Sequence, residues 1–236
     1  MTNVQRMAAL GAFRQQKRVF HLTANNLSNT NTPGFKKDVS VFHTFLGESL
    51  GRIESIPADG TKTQFQQGAI QKTGSELDLA IEGQGFFKVK TPQGYRYTRA
   101  GNFGINANQV LADSNGFPVM GTRNEISLKG QKIVIEKDGT VKVDGKNAGQ
   151  IGLVSFSDLD YLAKEGHSLY RLEGSQTEMK ALDSQILQGA LESSNVNPVE
   201  EMVKLIDSFR TYESCLKIIQ SQDELDGKAV NDLGRV

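Results

Sequence analysis

The spacing of apolar positions along this chain changes twice, and each change marks a different kind of element. From Val4 to Asn29 the pattern is helical: Val4, Met7, Ala8, Gly11, Gln15, Val19, Leu22 and Asn26 recur at steps of three and four. The resulting stripe is small and partly polar, and Ala8, Ala9, Gly11 and Ala12 would let a second helix approach closely. Thr32-Pro33-Gly34 stops it, since proline disfavours helical geometry in the preceding residue and glycine supplies turn conformations. Residues 35–75 carry less pattern; Val39, Val41 and Phe42 suggest a short extended piece, and Gly47 to Gly60 reads as a connector.

From Leu77 to about Leu172 short alternating runs take over. Leu77-Asp78-Leu79-Ala80-Ile81 ends at Gly83, and Phe86 to Lys90 ends at Pro92-Gln93-Gly94, with Tyr95 to Arg99 following. Ile133 to Ile135, then Asp138-Gly139, then Val141 to Val143 reads as a hairpin. Strands at this spacing predict an antiparallel, hairpin-rich β unit rather than a parallel α/β sheet. A second helix is predicted over residues 199–232. Asn197 is placed to cap it, Pro198 suits its first position, and Glu200 and Glu201 suit the positive end of its dipole. Its apolar stripe is Val199, Met202, Val203, Ile206, Phe209, Leu216 and Ile219.

The expected fold class is therefore a mainly β middle domain with long N- and C-terminal α-helices that pair as a coiled-coil-like α domain. The expected division is 1–34 for the N-terminal helix, 35–76 for an extended connector, 77–190 for the β-rich middle and 191–236 for the C-terminal helix.

Charge adds to this picture. The formal net charge is 0, which argues for neither nucleic acid nor membrane as a partner. The ends differ, however. The first 37 residues hold six basic residues and no acid, about +6, whereas residues 199–236 hold eight acids and five bases, about −3. Opposite ends favour association, although single exposed pairs are weak. The 24 glycines and 5 prolines suit many tight turns. The lone Cys215 excludes an internal disulfide. No apolar run approaches the roughly 18 residues of a membrane span, so an integral membrane protein is not expected. The N-terminus lacks the apolar core of a cleaved secretory signal; its basic character is similar to a transit peptide, but the Asn-rich stretch that follows argues against one.

Candidate chemistry is sparse. Gly83-Gln84-Gly85 opens like a dinucleotide loop, but Lys88 stands where a third glycine is needed and no helix follows. His21, His43 and His167 lack ligand spacing. Cys215 reads as a packed helix residue, and Ser155, Ser157 and Asp158 read as strand-end residues. No catalytic residue, metal site or cofactor is expected.

Two polar segments stand out instead. Asn25, Asn26, Asn29 and Asn31 crowd the end of the first helix, where asparagine competes for backbone groups. Such a run serves either as a helix terminus with a polar loop or as a polar seam whose amides fix register between packed helices; we favour the seam. The second segment, Leu191 to Met202, contains the capping Asn197.

Together these segments resemble the flagellar basal-body rod and hook protein family. Asn25, Asn26, Leu27, Asn29, Thr32, Pro33, Gly34 and Phe35 are similar to its N-terminal signature, and Ser194 to Met202, followed by Arg210 and Tyr212, to its C-terminal one. Leu77 to Phe87 and Arg96 to Gly101 resemble its middle. The size resembles rod rather than hook members. The short His43 to Gly68 stretch and the ending Asn231 to Val236 are more similar to the proximal-rod branch than to the distal one. One departure is a first turn, Met1 to Leu10, without tyrosine.

The resemblance implies a non-enzymatic subunit of the rod that carries torque from motor to hook. It implies export by the flagellar apparatus without a cleaved signal, a place in the periplasmic basal body, and partners that are copies of itself and other rod proteins. The implied assembly interface is Thr23, Asn25, Asn26, Leu27, Asn29, Pro33, Gly34, Phe35, Asn195, Asn197, Pro198, Met202, Ile206, Phe209, Tyr212, Leu216 and Ile219. Two rival readings are a secreted enzyme with a pocket near Asp158, His167 or Glu173, and a periplasmic cell-wall binding module.

Overall fold

The computed structural model describes residues 3–49, 52–174 and 176–233. The chain divides into two compact units, and it crosses between them at 28/29, 37/38, 62/63 and 196/197.

The first unit holds the helix α1 (Asn3–Ser28), a two-stranded sheet of Asp38–Ser49 with Arg52–Thr63, and the helix α2 (Pro198–Leu233). Asn197 caps α2 as its sequence predicts: its Oδ1 accepts from the Val199 N–H at 3.2 Å. Within this unit α1 and α2 meet through Phe13 and Tyr212, with ring centroids 5.1 Å apart, and Phe20 and Phe209 at 6.4 Å. The Gln16 Nε2 also donates to the Ser208 carbonyl at 3.1 Å.

The second unit is built from strands. Its largest sheet has six, in the order Leu162–Gly166, Leu169–Leu172, Gly94–Thr98, Phe86–Thr91, Leu153–Ser155, Met179–Lys180. The hairpin of Phe86–Thr91 with Gly94–Thr98 pairs Lys88 with Tyr97, and Ile133–Ile135 pairs Val141 with Ile135 as the turn at Asp138-Gly139 requires. Other pairings span long stretches of sequence: Leu79–Glu82 joins Gln185–Gln188, and Ile70–Lys72 joins Ala190–Glu192. Leu79, Ile81, Phe87, Val89, Leu111, Val119, Ile126 and Val141 fill the main core, and Phe86, Tyr97, Phe156, Leu162 and Tyr170 form a second, aromatic one. Tyr97 and Phe156 meet edge to face at 4.8 Å.

The expected fold class is corrected by this architecture. Among the described residues there are two α-helices against seventeen strands, and α1 is the shorter helix at 26 residues. The helices do not make a coiled-coil-like α domain, since a two-stranded sheet belongs to the same unit. The stripe of α2 expected to supply a knobs-into-holes seam stays open, with Val199, Met202, Val203, Ile206 and Phe209 between 48% and 68% exposed. A coiled coil needs apolar side chains enclosed in repeating layers shared by its helices, and these five side chains of α2 are not enclosed.

Candidate assembly surface

The asparagine-rich end of α1 sorts into residues turned inward and residues turned outward. Thr23 and Asn26 are buried, Leu27 is half-buried and Asn25 is exposed. Asn26 clasps the backbone of Asp38 from both sides: its Nδ2 donates to the Asp38 carbonyl at 2.8 Å, and the Asp38 N–H donates to its Oδ1 at 3.0 Å. The same amide reaches the Glu201 carboxylate at 3.4 Å. Glu201 is buried and also accepts from Lys204, whose affinity for its proton is raised, first by the Glu200 carboxylate beside it. A helix-end asparagine that imitates a strand partner in this way satisfies two backbone groups that a loop would otherwise leave to water.

Beyond α1, in the β unit, the chain turns sharply. Thr32 folds back on Asn29, Pro33 is half-buried, and Gly34 and Phe35 are buried. Gly34 has φ +66, and a Cβ there would lie 2.3 Å from backbone atoms of Arg99 and Ala100, so only glycine fits. Its N–H donates to the Glu192 carbonyl at 2.7 Å. Next to it Lys36 is completely buried and pairs with the equally buried Glu192 carboxylate. The other Glu192 oxygen accepts from Arg99 Nη1 at 3.2 Å, and the Gly68 N–H donates to the first at 2.9 Å. Burial holds the Lys36 ammonium and the Arg99 guanidinium below their ordinary pKa values, with Glu192 opposing that effect in both. Removing one member of such a cluster leaves an uncompensated buried charge, at a cost of about 3–5 kcal/mol.

Asn195 completes this arrangement. It accepts from the Lys37 N–H at 2.8 Å and donates to the carbonyls of Gln64 at 2.7 Å and Gln66 at 3.1 Å. Lys164 donates to the Lys36 carbonyl and sits 4.1 Å over the Phe35 ring. Sequence reasoning singles out Asn195, Gly34 and Phe35 but misses Lys36, Arg99, Glu192 and Glu201. Glu192 and Glu201 fall in the Leu191 to Met202 segment, but nothing local marks their burial or their partners, since Lys36 and Glu192 lie 156 positions apart.

The remaining candidate residues lie on α2. Asn197 is exposed, and Pro198, Tyr212 and Leu216 are half-buried. Met202, Ile206 and Phe209 are each about half exposed, with Val199 and Val203 beside them at helical spacing on one face. The Ile219 side chain lies outside the described residues, as do the side chains of the tyrosine-free first turn and of His43.

The groups capable of chemistry are scattered. His21 is exposed, and His167 is an exposed turn residue with φ +50. Cys215 is half-buried on α2, and Asp158 accepts from the Asp160 N–H at 2.9 Å to cap a 3-10 turn. Glu173 pairs with Arg171, and Gly83 and Gly85 make a left-handed turn between two strands. Among the described residues no group of three His, Cys, Asp or Glu side chains is placed to hold a metal ion, and no helix is long and apolar enough to cross a membrane.

Comparison with known proteins gives this surface its context. Residues 187–233 match the family model of the flagellar basal body rod FlgEFG protein C-terminal region, which takes in Glu192, Asn195 and all of α2. Residues 80–143 match the flagellar hook protein FlgE/F/G D1 domain. The chain is 37% identical to the flagellar basal-body rod protein FlgF of Caulobacter vibrioides, over 96% of this chain and 97% of the relative. It is 35% identical to FlgG of Borreliella burgdorferi, over 95% and 96%. It is 30% identical to the flagellar hook-basal body complex protein FlhO of Bacillus subtilis, over 97% of both chains. Matches that run nearly end to end settle the matter: the chain belongs to the flagellar basal-body rod FlgE/F/G family and is a structural subunit of the basal-body rod.

Proposed function

We propose that the chain is a proximal-rod subunit of the FlgF type. In this reading it is exported by the flagellar apparatus, assembles in the periplasmic part of the basal body with copies of itself and other rod proteins, and transmits torque without catalysing a reaction. The observation that carries the assembly reading is the open apolar face of α2, formed by Val199, Met202, Val203, Ile206 and Phe209. Burying one such side chain fully stabilises by about 1.5–3 kcal/mol. With about half of each of the five still exposed, completing their burial supplies about 4–8 kcal/mol, at the low end of the roughly 4–15 kcal/mol lost to association, so the face suits contacts that are repeated in a polymer. The exposed Asn25 and Asn197 add polar contacts that set register. Thr23, Asn26 and Leu27 order the end of α1 in the same unit, Tyr212 packs on Phe13 of α1 to hold α2 in place, and Leu216 lies half-buried one turn further along. Asn29, Pro33, Gly34, Phe35 and Asn195 order the turn by which the chain enters the β unit.

Ile206→Asp tests this reading. The variant is expected to unfold in urea within about 0.5 kcal/mol of the parent, because the position is exposed. It is also expected to leave cells without rods that extend past the export apparatus, and hence non-motile. Normal rods and normal swimming in that variant, at parental protein levels, would sink the proposal. Identity to FlgG relatives at 35% supports a distal-rod alternative. Electron microscopy of purified basal bodies carrying a tagged copy separates the two by the position of the tag.

A further inference from the structure

The β unit encloses a buried polar cluster around Glu192. The chain enters that unit at 28/29 and 62/63 and leaves it at 37/38 and 196/197. Three segments beside those crossings, 34–37, 64–69 and 192–196, are joined inside the unit by contacts that share few residues. Glu192 takes the Gly34 N–H on its carbonyl, and Lys36, Arg99 and the Gly68 N–H on its carboxylate. Asn195 takes the Lys37 N–H and gives its amide hydrogens to Gln64 and Gln66, while its own N–H donates to the Phe35 carbonyl at 3.4 Å. Lys36 adds a bond to the Gln66 carbonyl at 2.8 Å, and the Ser193 N–H bonds the Ala69 carbonyl at 2.8 Å. The packing leaves no slack: a Cβ on Gly68 would stand 2.0 Å from the Ser193 carbonyl oxygen.

We propose that Glu192 and Asn195 form an internal clamp that holds three of the chain's crossings of the β-unit boundary, at 37/38, 62/63 and 196/197, at fixed spacing, so that force arriving along one segment is shared by all three. This rests on the reading of the chain as a torque-transmitting subunit and gives part of its terminal signatures a second role, in which Asn195, Gly34 and Phe35 act inside the subunit as positioning residues. A charged clamp suits that role. Two cations and one carboxylate buried together tolerate only one arrangement, because any displaced member is stranded without water. Apolar side chains of the same volume would hold the segments but would let them slide.

Amide hydrogen exchange on the dilute full-length chain tests the clamp without needing assembly. In Asn195→Ala the amides of Gly34, Lys37, Gln64 and Gly68 are expected to lose protection together, by about a hundredfold or more, since three hydrogen bonds are removed at once. The amides of Leu111 and Val119, bonded inside the core, are expected to stay as protected as in the parent. Glu192→Gln should affect the same set by about a hundredfold or more. Loss confined to Lys37 in Asn195→Ala would overturn the proposal by reducing the residue to a local hydrogen bond. An equal loss at Leu111 and Val119 would overturn it too, by making the cluster ordinary core. Either failure leaves the assembly reading of α2 untouched, because that reading is decided on Ile206 by rod formation.

Discussion

The two units of this subunit solve the problem of apolar surface in opposite ways. The β unit closes Leu79, Ile81, Phe87, Val89 and their neighbours around a core in which the central side chains are fully buried. The helical unit instead leaves a row of five apolar side chains about half exposed along α2 and buries polar ones, Thr23, Asn26, Glu201 and Ser208. A closed core makes a unit stable alone and indifferent to neighbours. An open apolar face above a buried polar layer makes a unit whose burial is completed elsewhere, with its register already set by directional hydrogen bonds.

The largest effect that follows from this contrast is in the β core. Phe87, fully buried and edge-on to Phe103 at 4.9 Å, is expected to cost about 3–5 kcal/mol when cut to alanine, measured by urea unfolding of the dilute chain. Val203→Ala on the open face of α2 should change stability by less than about 0.5 kcal/mol in the same assay. Comparable losses at the two positions would erase the distinction between a closed and an open unit.

A middle-sized effect is expected at the polar layer. Asn26→Ala strands the Asp38 N–H and carbonyl and deprives Glu201 of a partner, which costs about 1–3 kcal/mol. It should appear as faster exchange at the Asp38 amide and lower helix content by circular dichroism. An unchanged Asp38 exchange rate would mean that the clasp contributes nothing.

The smallest effect is a pH dependence of the β unit. Backbone and side-chain hydrogen bonds from Thr140 hold the Asp138 carboxyl below its ordinary 3.8, and the hydrogen bond from Arg96 lowers Glu165 from 4.5. A carboxyl whose native pKa is depressed contributes stability that is present above the unfolded value and is lost as pH falls through the native one. The unfolding midpoint should therefore decline as the pH falls below the ordinary carboxyl range, with a shallower slope in Asp138→Asn. Both carboxylates are exposed, so the slope is small. An identical slope in the variant would remove Asp138 from the account.

Much of the local structure was legible in advance because its causes are local. The Asn197 cap, the Asp138-Gly139 hairpin and the Phe86 to Thr98 hairpin each depend on residues a few positions apart. The stretch around Gly47 to Gly60 reads as a connector but belongs to a two-stranded sheet, because its mixed polarity carries no clear period of two. The coiled-coil reading fails for a different reason. An apolar stripe at helical spacing states only that a face is apolar, and whether a partner lies on it is decided by the rest of the chain. The candidate site was half legible: Asn26, Gly34, Phe35 and Asn195 draw notice through unusual composition, while Lys36, Arg99 and Glu192 resemble ordinary surface charges.

By itself, then, the sequence determined where helices and hairpins begin and end, the opposed charges of the two ends, and the two polar signatures that place the chain among rod proteins. Those properties arise from backbone preferences, periodicity and capping, which act over a few residues. Only the tertiary structure decided that Glu82 pairs with Gln185, that Lys36 and Arg99 share the carboxylate of Glu192, and that the apolar stripe of α2 stays open. These depend on which distant segments are brought together, and the energy of a buried charge or an uncovered methyl group exists only once its surroundings are in place.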